Sequence, residues 1–279
     1  MQERIQPSYF TLNCGGKIVD LSYPKIMGIL NVTPDSFSDG GQFFNPLNAL
    51  RHAEKLIEEG ADIIDVGAQS TRPNAKKISA KQEIERLGSI VGEIKKNFPH
   101  VLISVDTFYG DVVRYAADEG MDIVNDISGG QFDEDLLQAV ATSKLPYVLM
   151  HVNSSYESMH EKRIKEDIVI EINRYFTQKA QFLLDLGIHD IILDPGFGFG
   201  KTFEQQYEMI DRLEQIGFQK FPSLIGISRK SFIYKPLGKL PNEVQAETQA
   251  LHRKIFLKGA NILRVHDVRE TKKLLESLV

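Results

Sequence analysis

The chain has 279 residues, of which 42% are hydrophobic and 25% are charged, as is typical of a soluble globular protein with a substantial core. Its formal net charge of −5 argues against a general nucleic-acid-binding protein, because that function needs a basic surface. A small anionic substrate is not excluded, since a local cluster of cations can lie on an acidic protein.

The first 25 residues and the rest of the chain have different patterns. Residues 9–22, YFTLNCGGKIVDLS, contain two strand-like runs around Gly15 and Gly16, which predicts a β-hairpin that plugs the bottom of a barrel. Beyond them, short runs rich in Ile, Val and Leu alternate with longer amphipathic segments. The predicted strands are residues 26–32, 62–66, 101–105, 122–127, 147–150, 190–193, 223–227 and 261–265. The predicted helices are residues 49–59, 80–97, 168–186, 203–216, 244–257 and 268–278.

Several of the predicted helices end in a glycine just before the next strand, which is the usual position of a left-handed helix cap. These glycines are Gly60, Gly120, Gly187, Gly217 and Gly259. The strands are nearly continuous apolar runs, as expected when helices cover a parallel sheet. About eight such units predict an α/β protein with a (β/α)8 TIM barrel and an N-terminal β-hairpin, formed by residues 1–279 as one domain. A doubly wound sheet is the alternative.

Three further features bear on where the protein works. Cys14 is the only cysteine, so an internal disulfide and a cysteine-based zinc site are excluded. No apolar run reaches the roughly 18 residues that a membrane span needs, and residues 1–13 lack the pattern of a signal peptide. We therefore expect a cytoplasmic protein that binds neither a membrane nor nucleic acid.

Nearly every predicted strand ends in an ionisable or amide side chain. In a (β/α)8 barrel, the carboxyl ends of the strands and the loops after them form the active site. One such residue alone would most often be a helix cap, but their recurrence predicts a polar pocket at one end of the barrel. The side chains at these ends are Asn31, Asp65, Asp106, Asn125, His151, Asp194, Ser228, Arg229, Lys230, Arg264 and His266.

The chemical types of these side chains indicate two kinds of ligand group. Asp106, Asn125 and Asp194 offer acceptors and an amide, which suit a flat heterocycle edged with N–H donors. Lys230, Arg264 and His266 are cations or donors, which suit an anion such as phosphate. The pocket is therefore predicted to bind a neutral heterocycle next to a phosphate.

Two loops are long, polar and rich in turn residues, which is typical of lids. The first loop is residues 31–44, NVTPDSFSDGGQFF, where Phe37 is predicted to close over a substrate ring. The second loop is residues 67–79, GAQSTRPNAKKIS, where Arg72 beside Thr71 is a candidate anion or transition-state clamp.

Other patterns predict no ligand site. The run GFGFGKT resembles a nucleotide-binding phosphate loop, but Pro195 stands where that pattern requires glycine. Lys76 and Lys77 are expected to lie on a solvated face. Five histidines lack the spacing of metal ligands and are expected to be surface or capping residues: His52, His100, His160, His189 and His252.

Two long segments and six short ones resemble the dihydropteroate synthases. MGILNVTPDSFSDGG and GADIIDVGAQSTRPNA are similar to the two signature segments of that family. SVDT, VNDISGG, LMH, DPGFGFGKT, GISRKSFI and RVHDV also match, in the same order, from residue 25 to the end. One departure is Gly67-Ala68-Gln69-Ser70, where the family usually has GGES. We expect this departure to tune the loop geometry without loss of activity.

The resemblance implies a (β/α)8 homodimer that makes 7,8-dihydropteroate and diphosphate from (7,8-dihydropterin-6-yl)methyl diphosphate and 4-aminobenzoate. It implies Mg²⁺ as cofactor and sulfonamides as inhibitors that compete with 4-aminobenzoate. The implied pterin-binding residues are Asp106, Asn125, Met150, Asp194, Phe199 and Lys230. The implied diphosphate-binding residues are Asn31, Ser228, Arg264 and His266, with Asn31 also a ligand of Mg²⁺. The implied aminobenzoate-binding residues are Phe37, Thr71, Arg72 and Pro73, and the candidate catalytic residues are Asp35, Arg72, Asp106 and Lys230.

Two other functions share part of this pattern. A pterin-binding methyltransferase domain would use methyltetrahydrofolate and a corrinoid partner, and it would need no diphosphate site. A non-catalytic pterin-binding paralogue would have lost polar groups from several strand ends. The STRP, SRK and RVHD segments and the retained strand-end residues favour the synthase over both.

Overall fold

The computed structural model of the protein describes residues 4–33, 46–71, 75–152, 155–161 and 164–279. Four predicted site residues, Asp35, Phe37, Arg72 and Pro73, lie outside the described residues. Within those ranges, no helix is long and apolar enough to cross a membrane.

The predicted amino-terminal hairpin is confirmed. Strands β1 (Thr11–Cys14) and β2 (Lys17–Asp20) pair antiparallel around Gly15 and Gly16, whose φ angles of 61° and 90° suit a tight two-residue hairpin turn. Alternate side chains of the hairpin and its flank pack on the amino ends of the barrel strands, where each buried leucine contributes ~1.5–3 kcal/mol. These side chains are Leu12, Cys14, Val19 and Leu21. The hairpin therefore covers the bottom of the barrel.

Eight parallel strands form a nearly closed barrel, which confirms the predicted fold and makes the doubly wound alternative wrong. The strands are β3 (Lys25–Asn31), β4 (Ile63–Gly67), β5 (Leu102–Asp106), β6 (Ile123–Asp126), β7 (Tyr147–Met150), β8 (Ile191–Asp194), β9 (Leu224–Ile225) and β10 (Ile262–Val265). Their spatial order is β8-β7-β6-β5-β4-β3-β10-β9. A parallel bridge between Leu193 and Ser223 brings the two ends of this order together.

Helices surround the barrel. They are α1 (Pro46–Glu58), α2 (Ala80–Leu87), α3 (Ile90–Asn97), α4 (Gly110–Asp118), α5 (Leu136–Ser143), α6 (Ile168–Asp185), α7 (Phe203–Asp211), α8 (Ser231–Tyr234), α9 (Gln245–Leu257) and α10 (Val268–Glu276). Short 3₁₀ turns lie at Tyr156–Ser158, Leu213–Gln219, Lys235–Leu237 and Pro241–Glu243. The five glycines predicted to end helices all have positive φ angles, but Gly217 lies inside the 3₁₀ turn Leu213–Gln219 and not at the end of α7.

The predictions for two helical segments were wrong in detail. Residues 80–97 form two helices, because Gly88 adopts a φ of 47° that a right-handed helix cannot continue. The apolar spacing nevertheless continues across the break, since Leu87, Ile90 and Val91 are all buried. The helix predicted over residues 203–216 ends at Asp211 and is followed by a 3₁₀ turn.

The alternation of side chains along the strands places the polar residues. The lowest layer inside the barrel is apolar and meets the hairpin: Met27, Ile63, Leu102, Ile123, Val148, Ile192, Leu224 and Ile262. Residues two positions further along each strand point the same way. They are Ile29, Asp65, Ser104, Asn125, Met150, Asp194, Gly226 and Arg264. The barrel interior therefore changes from apolar to polar within one layer, toward the carboxyl ends of the strands.

Candidate active site

A hydrogen-bonded network of four side chains crosses the barrel interior. Asp65 on β4 is fully buried, and its carboxylate accepts from Arg264 Nε at 2.6 Å and from Asn125 Nδ2 at 3.2 Å. Arg264 Nη2 donates to Asp106 Oδ2 at 3.0 Å. Asp65 and Asp106 thus share one guanidinium, which offsets part of the cost of burying two carboxylates. The network fixes the side chains of Asn125, Asp106 and Arg264 relative to one another.

Burial changes the protonation of two groups at this site. It raises the pKa of Asp106 from 3.8 to about 7, while the neighbouring Arg264 favours the charged carboxylate. Burial also lowers the pKa of the Lys230 ammonium from 10.5 to about 8, and the positive charge of Arg264 acts in the same direction. Both groups therefore titrate close to neutral pH, as is common for groups in active sites.

Asp194, Lys230 and Phe199 form the side of the site contributed by β8 and β9. Asp194 Oδ1 accepts from the Gly196 amide at 2.7 Å, and burial raises the pKa of this carboxyl. The Lys230 ammonium lies 4.7 Å from the centre of the Phe199 ring, which is a cation–π distance. Met150 is buried on the neighbouring strand β7, in register with Asp194. The structure therefore brings the predicted pterin-binding residues to the same end of the barrel.

The ends of β9 and β10 are tied together by two side-chain contacts. Ser228 Oγ lies 3.1 Å from His266 Nδ1 and accepts from the His266 backbone amide at 3.2 Å. Arg229 and Asp267 are the next residues after Ser228 and His266, and Arg229 donates to Asp267 Oδ1 at 2.6 Å. His266 follows directly after β10, two residues beyond Arg264. Two of the predicted diphosphate-binding residues, Ser228 and His266, are thus in contact.

Asn31 lies across a glycine from Asp106. The strand register places Gly67 between them, and a Cβ atom at Gly67 would lie 3.4 Å from Asn31 Oδ1 and 3.6 Å from Asp106 Cβ. No three His, Cys, Asp or Glu side chains in the described part of the chain cluster to hold a metal ion. An amide oxygen beside a carboxylate nevertheless suits Mg²⁺, which prefers oxygen ligands and usually takes several from water and substrate phosphates.

The comparisons with known proteins agree with this geometry. The family model described as "Pterin binding enzyme" matches residues 27–266. The dihydropteroate synthase of Escherichia coli K12 is 42% identical over 258 residues, covering 92% of this chain and 91% of that protein. The chain belongs to the dihydropteroate synthase family.

Solved structures in the family have the same fold. The Xanthomonas albilineans dihydropteroate synthase with 4-aminobenzoic acid has a TM-score of 0.88 and 35% identity, covering 95% of this chain and 96% of that one. The Yersinia pestis dihydropteroate synthase in complex with a sulfonamide drug has a TM-score of 0.89 and 36% identity, covering 96% and 97%.

The loop after β8, GFGFGKT, does not have the structure of a nucleotide phosphate site. Lys201 is buried, and its ammonium donates to the carbonyls of Gly196 at 2.9 Å, Phe199 at 3.0 Å and His151 at 3.4 Å. Thr202 caps helix α7 through a reciprocal pair of hydrogen bonds with Gln205. In this family member, the lysine therefore holds the shape of the loop that carries Phe199.

Substitution of Gly198 by alanine is expected to weaken pterin binding about tenfold. Gly198 has a φ of 85°, and a Cβ atom there would lie 3.1 Å from Lys230 Cδ. The matched control is Gly187→Ala, where φ is 84° but nothing lies within 4 Å of the added atom. Both variants carry a similar backbone strain of ~1–2 kcal/mol. Equal pterin dissociation constants in the two variants would show that a glycine at position 198 is not needed to keep Lys230 in place.

Ala68 and Gln69, which depart from the family signature, form hydrogen bonds at the base of the second loop. The Gln69 side chain is buried, and its Oε1 accepts from the Ile78 amide at 2.8 Å, which closes the base of the second loop. The Ala68 carbonyl accepts from Arg86 NH1 at 3.1 Å. A glutamate at position 69 would also offer an acceptor to Ile78, so both residue types can close the loop.

Three residues with a place in this site were not predicted from the sequence. Asp65 is predicted to end a strand but has no predicted role, although an acidic residue inside a buried strand indicates one. The sequence marks Gln69 only as a departure from the family signature. His160 is predicted to be a surface or capping residue, but it is half-buried between Thr71 and Gly198 of two other loops. The same expectation is wrong for His252, which is fully buried on α9 with its pKa lowered by burial to about 3.

Proposed function

We propose that this chain condenses (7,8-dihydropterin-6-yl)methyl diphosphate with 4-aminobenzoate, giving 7,8-dihydropteroate and diphosphate. The observation that carries the proposal is the joint placement of acceptors and cations at one end of the barrel. Asp106 and Asn125 share the Asp65–Arg264 network, and Lys230 lies beside Phe199. A flat heterocycle and an attached anion require these two sets of groups side by side.

The pterin half of the substrate is assigned to Asp106, Asn125, Asp194 and Lys230. Carboxylates and an amide accept and donate along the edge of an aminopyrimidinone ring, and Lys230 donates to its oxygen or nitrogen. Met150 and Phe199, both buried, offer apolar surface to the faces of the ring. Because Asp65 holds Asn125 and Arg264 in place, binding needs little reorganisation of side chains.

The diphosphate half is assigned to Arg264, His266 and Ser228. The C–O bond to the diphosphate breaks at a CH₂ group attached to an electron-rich ring, which can stabilise a carbocation. The amine nitrogen of 4-aminobenzoate then forms the new C–N bond and loses a proton. The reaction therefore needs positive groups at the leaving diphosphate and negative charge near the cation, and it needs no protein nucleophile. We assign that negative charge to Asp106, with Asp35 as a second candidate.

We propose Mg²⁺ as cofactor, held on the protein side by the Asn31 amide oxygen. When bound, the ion neutralises diphosphate oxygens and so favours their departure. The remaining ligands would be substrate oxygens and water, because one amide provides only one ligand.

The aminobenzoate site is assigned to Thr71, Arg72 and Pro73 of the second loop and Phe37 of the first. Thr71 is half-buried at the end of the described part of its loop. Relatives bind 4-aminobenzoic acid and a sulfonamide drug, and we propose that both classes of compound compete for this site. We further propose that the chain works in the cytoplasm as a homodimer, with residues 1–279 forming one domain.

The pH dependence of kcat/KM for the pterin diphosphate is expected to be bell-shaped. Asp106 accepts N–H groups best as a carboxylate, so binding should improve as pH rises through about 7. Lys230 donates best as an ammonium, so binding should weaken as pH rises through about 8. Lys230→Arg is expected to remove the alkaline limb, because arginine stays charged throughout the pH range in which Lys230 loses its proton. An alkaline limb that persists in Lys230→Arg would contradict the assignment to Lys230.

The raised pKa of Asp106 also makes the stability of the folded protein depend on pH. Between about pH 4 and about pH 7 the unfolded chain has lost this proton while the folded chain retains it, so the group lowers stability as pH rises through that window. The gain in binding as pH rises through about 7 and this loss of stability therefore come from the same buried carboxyl group.

The direct test is the release of diphosphate by the purified full-length chain with Mg²⁺ and both substrates, with identification of the pterin product. We expect 7,8-dihydropteroate only when both substrates are present. Tight pterin binding without product would contradict the synthase and indicate a non-catalytic pterin-binding protein.

A further inference from the structure

His160 lies between the second loop and the loop after β8. It follows the short 3₁₀ turn Tyr156–Ser158 in the loop after β7. Its Nε2 lies 2.9 Å from the Thr71 carbonyl oxygen, and its Nδ1 lies 3.3 Å from the Gly198 carbonyl oxygen. Both partners are acceptors, so a neutral ring can donate to one of them at a time. The shorter distance indicates that Nε2 carries the hydrogen and donates to the Thr71 carbonyl oxygen.

The same ring is stacked on Phe199. The two ring centres are 5.1 Å apart and the ring planes differ by 21°. The Lys230 ammonium also lies against Phe199, 4.7 Å from the ring centre. A continuous series of contacts therefore runs from Thr71 through His160 and Phe199 to Lys230. It joins the residue assigned to 4-aminobenzoate to residues assigned to the pterin.

Other side chains hold the second loop without such a connection. The Tyr156 hydroxyl donates to the Ser70 carbonyl at 3.1 Å, and the Tyr109 hydroxyl donates to the Ile78 carbonyl at 2.5 Å. Lys77 is exposed, as predicted, and its ammonium also lies 4.9 to 5.9 Å from the centres of four aromatic rings. Those rings belong to Phe108, Tyr109, Phe132 and Tyr156. These contacts fix the body of the loop to the loops after β5, β6 and β7.

We propose that His160 is a positioning residue that sets the spacing between Thr71 and Phe199, and thereby the affinity for 4-aminobenzoate and its sulfonamide mimics. The proposal rests on the function proposed above. His160 touches neither half of the substrate in this assignment and acts through the backbone of Thr71 and the ring of Phe199. Loss of its polar contacts should act mainly on 4-aminobenzoate, because the pterin contacts of Asp106, Asn125 and Asp194 do not pass through His160 and a flat ring at position 160 keeps the stacking on Phe199.

The test compares three variants of the full-length chain. His160→Phe keeps a flat ring on Phe199 and removes both polar contacts. His160→Gln restores an N–H donor for Thr71. Tyr156→Phe is the matched control, because it removes one hydrogen bond to the same loop, at Ser70, and leaves the contacts to Gly198 and Phe199 intact.

For His160→Phe we expect the KM for 4-aminobenzoate and the inhibition constant of a sulfonamide to rise about five- to tenfold, as fits the loss of one hydrogen bond. The dissociation constant of the pterin diphosphate, measured by calorimetry without the second substrate, should stay within about twofold of wild type. His160→Gln should recover most of the lost affinity, and Tyr156→Phe should have the smaller effect.

Three results would overturn the role of His160: an unchanged KM for 4-aminobenzoate, an equal loss of pterin affinity, or an equal effect of Tyr156→Phe. Failure of the proposed function is distinguishable, because in that case the wild-type chain itself forms no dihydropteroate.

Discussion

Substitution of Asp65 by alanine is expected to lower the rate of dihydropteroate formation by about two orders of magnitude and the free energy of unfolding by about 3–5 kcal/mol. The Asp65 carboxylate is fully buried and accepts from both Arg264 and Asn125. Its removal leaves the Arg264 guanidinium with one carboxylate partner, Asp106, and leaves the Asn125 amide without its acceptor. Chemical denaturation and steady-state kinetics measure the two effects.

A matched control is available in the same layer of the barrel. Ser104 is paired with Asp65 across β4 and β5, it is equally buried, and its hydroxyl has no hydrogen-bond partner among the described residues. Ser104→Ala is therefore expected to change stability by less than about 1 kcal/mol. A double variant, Asp65→Ala with Arg264→Met, should recover stability but not activity, because it removes the buried guanidinium that has lost one of its two carboxylate partners and also removes the diphosphate contact. Equal losses of stability and activity in Asp65→Ala and Ser104→Ala would contradict the role given to the network.

Substitution of Asp106 by alanine is expected to abolish measurable binding of the pterin diphosphate, with a dissociation constant at least about 100-fold higher. Asp106 offers its carboxylate at the mouth of the barrel, where Arg264 holds it in place. The substitution should change the free energy of unfolding by no more than about 1 kcal/mol near neutral pH. The reason is that burial raises the pKa of Asp106 and makes its ionised form unfavourable in the folded protein.

The comparison of the two aspartates separates their roles. Titration calorimetry of the two variants should show lost binding in both, but a large loss of stability only in Asp65→Ala. Near-normal pterin affinity in Asp106→Ala would end its assignment as a substrate ligand.

Much of the fold follows from local rules that the sequence displays. The glycines at helix ends have the positive φ angles that a left-handed cap requires, and the Gly15–Gly16 turn forms the predicted hairpin. The period-two alternation of parallel strands then places Asp106, Asn125, Asp194 and Arg264 inside the barrel. The helix break at Gly88 was missed because apolar spacing continues on both sides of it.

The parts of the site that were missed depend on contacts between distant segments. Asp65 is important because it meets Arg264, which lies 199 residues away in the chain. His160 meets Thr71 and Gly198 from a third loop, and no local pattern predicts such a meeting. Lys201 donates to the backbone carbonyls of His151, Gly196 and Phe199, a structural role that its sequence context does not predict. Side-chain partners of this kind become visible only once the barrel brings its loops together.

The most direct test of the account is a crystal structure of the chain with (7,8-dihydropterin-6-yl)methyl diphosphate. The account predicts the N–H edge of the pterin within hydrogen-bond distance of Asp106, Asn125 and Asp194, with the diphosphate beside Arg264 and His266. A pterin bound elsewhere, or an Arg264 that remains on Asp65 and Asp106 and makes no contact with the diphosphate, would contradict it.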